Sequence, residues 1–408
     1  MRRAGLILLF LAACRPELRP SPPALGPASL SDILWINRFA VDLRSGTVVW
    51  KVPFEREVQS DHGISAGERV FLQHGDGAIE ARGLLDGRRL WSTAAVPEIE
   101  RKDRQGYPVV PTLVIGDSTL LQVTVTRARA FDLRDGREAW SVPMEISAWS
   151  VAEGYVLTGP SGTRFIDERR GVERWAAPDL WIHGLVAVDG DVIIASETGV
   201  RRLRGSDGTP IWNYAPPLRM RPGRLLRAGS FIVVGPGDEQ LWTLVLDSRT
   251  GGVTWSHLGH APEEAALSFD GSRLFVALVQ QEYFGPGEIW SVSTESWTRE
   301  WTASEAWKGS VKFLVSQGRL FAAPFQPLSF DVDLASYEDS AGELLWKGVV
   351  EGFQVPHSIY GNLTTLERRG DTVVVVSRQT GGDLMEVFDL HRGTAISRWS
   401  WILGDQQD

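Results

Sequence analysis

A tryptophan-ended motif recurring about every 44 residues, short β-branched runs ahead of each copy, and Gly/Asp turns between those runs predict an all-β chain. The expected fold is a β-propeller of four-stranded antiparallel blades. The motif is clearest in three copies: Ala40, Gly46 and Trp50; Ala81, Gly87 and Trp91; Ala130, Gly136 and Trp140. All three read A-x5-G-x3-W. Gly171/Trp175, Gly208/Trp212, Gly251/Trp255 and Gly342/Trp346 keep the last two letters. Two copies are degenerate. Trp301 follows Trp297 where glycine is expected, and Trp399 follows Gly393 with two extra residues. Intervals between successive Trp ends run from 35 to 53 residues, the length of one blade.

The runs ahead of the motif read as strands. Arg69–Gln73, Asp191–Ala195, Arg273–Leu278, Arg319–Ala322 and Thr372–Val376 are short and β-rich, and turns such as Asp189-Gly190, Asp270-Gly271 and Gly370-Asp371 precede several of them. This punctuation belongs to antiparallel meanders. No long stretch carries helical periodicity with caps, which excludes helical solenoids. Within the motif, Asp–Gly supplies a tight hairpin between the third and fourth strands, because glycine accepts positive φ. The small Ala leaves room for the Trp, whose large apolar surface fills the gap to the next blade and whose N–H seeks a carbonyl. Nine motif ends bracket eight full units. Eight blades are therefore expected, with the N-terminal strands helping to close the ring and so hiding an exposed edge; seven blades are the alternative.

Composition sets the class. The chain has 408 residues, 43% hydrophobic and 23% charged, enough to bury a large core without staples. A formal net charge of −9 argues against a nucleic-acid partner. One cysteine, Cys14, stands against 17 tryptophans, so an intramolecular disulfide and a thiolate metal cluster are both impossible.

The chain opens with Arg2 and Arg3, then an apolar run from Ala4 to Leu11, then Ala12-Ala13-Cys14. The run is too short to span a bilayer and has the form of a secretory signal. Residues 1–13 are read as signal, 14–32 as a tether and 33–408 as one propeller domain. Prolines at 16, 20, 22, 23 and 27 keep the tether extended at about 3.1 Å per residue. Leu11-Ala12-Ala13-Cys14 resembles the lipobox of bacterial lipoproteins. That resemblance implies cleavage before Cys14 and lipidation of it; anchoring needs more than one acyl chain. Arg15, where that class uses Asp for inner-membrane retention, implies the periplasmic face of the outer membrane, with the cell surface as the alternative.

The A-x5-G-x3-W repeat resembles the docking motif of PQQ-type (quinoprotein-like) propellers over about residues 33–402. With the lipobox, the chain is similar to the propeller lipoproteins of the outer-membrane β-barrel assembly machinery, the BamB-like family. The resemblance implies an eight-bladed, non-catalytic, monomeric scaffold that binds envelope or outer-membrane proteins, is held to the membrane by its lipid, and uses no cofactor.

A search for chemistry returns no P-loop and no G-x-G-x-x-G, and no catalytic or metal-binding residue is assigned. A PQQ-dependent oxidoreductase is the third reading, and the chain has no adjacent cysteine pair to support it. A glycan- or small-molecule-binding propeller, using its central channel, is the second. His257 and His260 are read as a solvated loop pair. Arg219, Arg221, Arg224 and Arg227 form a basic segment read as a loop able to meet an acidic partner. Tyr107, in the charged insertion 98–111, is the other candidate contact.

Overall fold

The computed structural model describes residues 28–402 apart from 37, 53–62, 75, 96–111, 125–126, 144–146, 160–161, 179, 218–219, 238–239, 281–286, 304–310, 325–331, 351–362 and 380–381. The signal, Cys14, most of the tether, Tyr107 and Arg219 lie outside the described residues.

Nine antiparallel sheets follow one another along the chain. They are blade 1 (33–51), blade 2 (64–92), blade 3 (112–143), blade 4 (147–177), blade 5 (182–214), blade 6 (222–258), blade 7 (261–303), blade 8 (311–350) and blade 9 (363–402). Blades 2 to 9 each have four strands in sequence order, and blade 1 has three. First strands of successive blades pack on one another from blade 5 to blade 9, so the first strand is innermost and the Trp-bearing fourth strand outermost.

The core is divided among the junctions. Nine hydrophobic clusters each span two neighbouring sheets. One of them joins the two ends of the chain: Ile36, Phe39, Val41 and Leu43 of blade 1 meet Val374, Val376, Met385 and Trp399 of blade 9. The ring closes there by face-to-face packing.

This corrects the expected count of eight or seven. The first motif copy was expected to be a hairpin that helps another blade close. It has its own second strand, Ile33–Ile36, and forms a ninth sheet. Blade 9 is built wholly from C-terminal strands.

The turn chemistry explains the repeat. In all nine blades the residue at the glycine position donates its N–H to the carbonyl four residues back, as Gly46 does to Asp42 and Gly136 to Asp132. Eight of these positions are glycines with φ between +64 and +71. The ninth is Trp297, at φ +56. Carboxylates brace several turns: Asp42, Asp132, Asp167, Asp247 and Asp389 accept N–H groups two or three residues ahead. These hydrogen bonds, with Arg44 on Asp42 and Arg134 on Asp132, hold the acids below the usual carboxylate range.

Candidate functional site

Glycine and tryptophan meet between blades, not within one. Each indole leaves its own fourth strand and lies under the glycine of the next blade. A Cβ on Gly87 would stand 2.6 Å from Trp50, and one on Gly136 2.4 Å from Trp91. Gly171, Gly208, Gly251, Gly342 and Gly393 cover Trp140, Trp175, Trp212, Trp301 and Trp346 in the same way. The indole N–H then reaches a carbonyl of that blade: Trp50 to Leu84 (2.7 Å), Trp91 to Leu133 (3.1 Å), Trp140 to Glu168 (2.6 Å) and Trp212 to Ser248 (3.0 Å). Trp175, Trp301 and Trp346 do the same. Ala40, Ala81 and Ala130 pair across the strand with Trp50, Trp91 and Trp140 and are fully buried.

Two junctions differ. Between blades 9 and 1 the residue in the tryptophan register is Ser397, paired with Val387; Trp399 lies two residues further along the strand. The Ser397 hydroxyl donates to the Leu43 carbonyl, and Trp399 packs on Phe39 at 5.0 Å between ring centroids. With no indole beneath Gly46, a Cβ there would meet the Arg398 backbone at 2.3 Å. Between blades 6 and 7, Trp297 occupies the glycine position and packs edge-on against Phe231. Trp255 there stacks on His257, with 11° between the rings.

That second junction gathers side chains expected to be a solvated loop. His257 Nε2 lies 2.8 Å from His260 Nδ1. Both rings contact Trp290, which donates to Glu288 and carries Arg299 over its face at 4.6 Å. His257 and His260 are half-buried. Burial first, then the charges of His260 and Arg299, push the His257 pKa down, against Glu288. A histidine with a depressed folded-state pKa contributes stability above its unfolded pKa, near 6.5, and loses it as pH falls from that value through the lower folded-state one. The melting temperature should therefore begin to drop just below pH 6.5, well before the turn carboxylates protonate below about pH 4. His257→Gln should flatten that upper limb in a thermal melt series.

The basic segment is also rearranged. Pro222–Ala228 is the innermost strand of blade 6, with Pro222, Leu225 and Ala228 buried, and not a loop. Its arginines are exposed but engaged. Arg224 bonds Glu263 of blade 7 at 2.7 Å, and Arg227 bonds the Ala187 carbonyl of blade 5 at 2.7 Å. Arg221 precedes the strand and is exposed. Lys312 reaches Glu264 and Arg368 reaches Ser316 in the same manner. A polar belt thus links the inner strands of blades 5 to 9. No group of three or more His, Cys, Asp or Glu able to hold a metal occurs among the described residues. A cavity of about 570 Å³ lies at the 9–1 seam, lined by Asp32, Leu43 and Arg44 on one side and Arg368, Arg369 and Thr372 on the other.

A family model described as "Outer membrane protein assembly factor BamB" matches residues 38–214 and 127–296, more than half of the chain. Serine/threonine-protein kinase AfsK of Streptomyces coelicolor is 28% identical over 148 residues, 34% of this chain and 18% of that protein. The chain thus spans under a fifth of that relative's length. Among solved structures, Saccharomyces cerevisiae Sqt1 superposes with a TM-score of 0.53 at 12% identity, over 78% of this chain and 91% of that one. Dihydro-heme d1 dehydrogenase NirN superposes at 0.55 and 12% identity, over 95% and 78%. At these identities the two likenesses speak for the propeller fold alone.

Proposed function

The chain belongs to the family of outer membrane protein assembly factor BamB, and from that premise we propose that it is a non-catalytic, lipid-anchored propeller that binds other proteins of the bacterial envelope during outer-membrane protein assembly. The family match over residues 38–296 carries this reading. The geometry supports it in one respect. Arg224, Arg227, Lys312 and Arg368 of the inner strands are spent on blade-to-blade contacts, so the ring acts as a rigid frame whose rims present its connections to partners.

The reading places Cys14 as the lipid attachment point and residues 14–32 as the spacer. Cys14→Ser is expected to move the protein from the membrane to the soluble fraction, as read by fractionation and immunoblot. The central test is affinity purification of the lipidated protein from detergent-solubilised membranes, with mass spectrometry of what accompanies it. Recovery of an outer-membrane β-barrel or its assembly partners supports the proposal, and recovery of nothing above background counts against it. The seam cavity favours a second reading, a small-ligand-binding propeller, because Arg44, Arg368 and Arg369 all border it. A thermal-shift screen with small anions and sugars separates the two.

A further inference from the structure

Among the described residues blade 1 has three strands, and the position left without one can be named. Ala40 and Trp50 belong to the third and fourth strands by register. Ile33–Ile36 is therefore the second strand. A hydrogen bond fixes this. In seven of the eight four-stranded blades the residue after the third strand donates to the residue just before the second, as Leu84 does to Glu68, Leu133 to Ser118, Ser248 to Ser230 and Leu390 to Asp371. In blade 1 Leu43 donates to Asp32. The innermost strand is the absent one.

Ile33–Ile36 pairs with Phe39–Asp42 only, among the described residues. Because Asp32 bonds Leu43, alternation aims the amides of Leu34 and Ile36 at the third strand and that of Trp35 at the open edge; the Ile33 amide donates to the Leu30 carbonyl of the preceding turn. The side chains are settled: Ile33, Trp35 and Ile36 are buried between blades 9 and 2. Trp35 also keeps its indole N–H buried without an acceptor, whereas seven docking tryptophans each reach a carbonyl. The unmet element is thus the Trp35 N–H with the Ile33 and Trp35 carbonyls along the inner edge of the strand.

We infer that this edge receives an extended segment of a partner protein, which adds as the fourth, innermost strand of blade 1, antiparallel to Ile33–Ile36. The inference rests on the protein-binding reading above. The eight complete blades show what fits: a first strand of three to seven residues. At the place facing the Trp35 position it carries Ile64, Val114 or Trp149. The guest is therefore an apolar-alternating, extended peptide. The chain's own tether suits the place poorly. Prolines at 16, 20, 22, 23 and 27 offer no N–H to a ladder. The segment after residue 402 leaves from the outermost strand of blade 9, about 14 Å from the innermost position at ~4.8 Å per strand.

The test is residue-resolved amide hydrogen exchange on the full mature chain, with a capped Thr-Val heptapeptide and the same peptide carrying a central proline. The Trp35 amide is expected to exchange rapidly in the free protein and to slow by about tenfold or more with the alternating peptide. Leu34 and Ile36 should be slow throughout, and the proline peptide should be without effect. Unchanged exchange at Trp35 overturns the inference. So does protection already present in the free protein that disappears when residues 53–62 are replaced by a Gly/Ser linker, since the edge is then filled by the chain itself. If envelope proteins co-purify while the Trp35 amide stays exposed, this inference fails and the binding reading survives.

Discussion

Trp140→Ala is expected to destabilise the ring by about 3–5 kcal/mol, the range for removing a large buried aromatic. Trp140 fills the space between blades 3 and 4, meets Tyr155 edge-on at 6.1 Å, and donates to the Glu168 carbonyl. Removing it empties a cavity under Gly171 and leaves that carbonyl unmet. A melting temperature several degrees lower by calorimetry is the expected result. Trp140→Phe keeps most of the bulk and loses only the N–H, so it should cost about 1 kcal/mol. Equal melting temperatures for the wild-type protein and Trp140→Ala would mean that the indole does not hold the blades together.

The second large effect comes from the opposite partner. Gly136→Ala places a methyl 2.4 Å from the Trp91 ring at a φ of +70. The left-handed backbone alone costs about 1–2 kcal/mol for an L-residue, and overpacking against a buried ring adds about 1–3. Gly67→Ala is the matched control: φ is +55 there, and nothing lies within 4 Å of the new methyl. It should therefore show the backbone cost alone. The difference between the two variants in thermal denaturation isolates the docking contribution. If they fall together, the glycine is present only for its turn.

The Gly/Trp spacing made the hairpins legible because both letters answer a local demand, one for positive φ and one for a large docking surface. It did not make the ring count legible. Closure depends on which strands share a sheet, and Ile33–Ile36 is too short a run to announce a blade of its own. The seam was misread for a related reason. Trp399 is the nearest tryptophan to Gly393, but the docking register falls on Ser397, and a serine in that role leaves no mark in the pattern. Arg224 and Arg227 looked like a loop because charge masked the buried Pro222, Leu225 and Ala228 beneath them. His257 and His260 stand on either side of a turn, and only the fold brings Trp290 and Arg299 over them.

The serine at the seam bears on how the chain counts. Eight of the nine joints are also bridged by continuous polypeptide; the joint between blades 9 and 1 is not, and its contacts span more than 350 positions, as from Ser397 to Leu43. Closing so large a loop comes late in folding. If that last joint used the tryptophan lock that seven of the others share, most blades could seat against one another, and arcs from two molecules could interlink as readily as one arc closes. A distinct mating pair, Ser397 and Trp399 against Leu43 and Phe39, gives the two ends a match that no internal blade offers. The ring thereby stops at nine, and it does so within a single molecule.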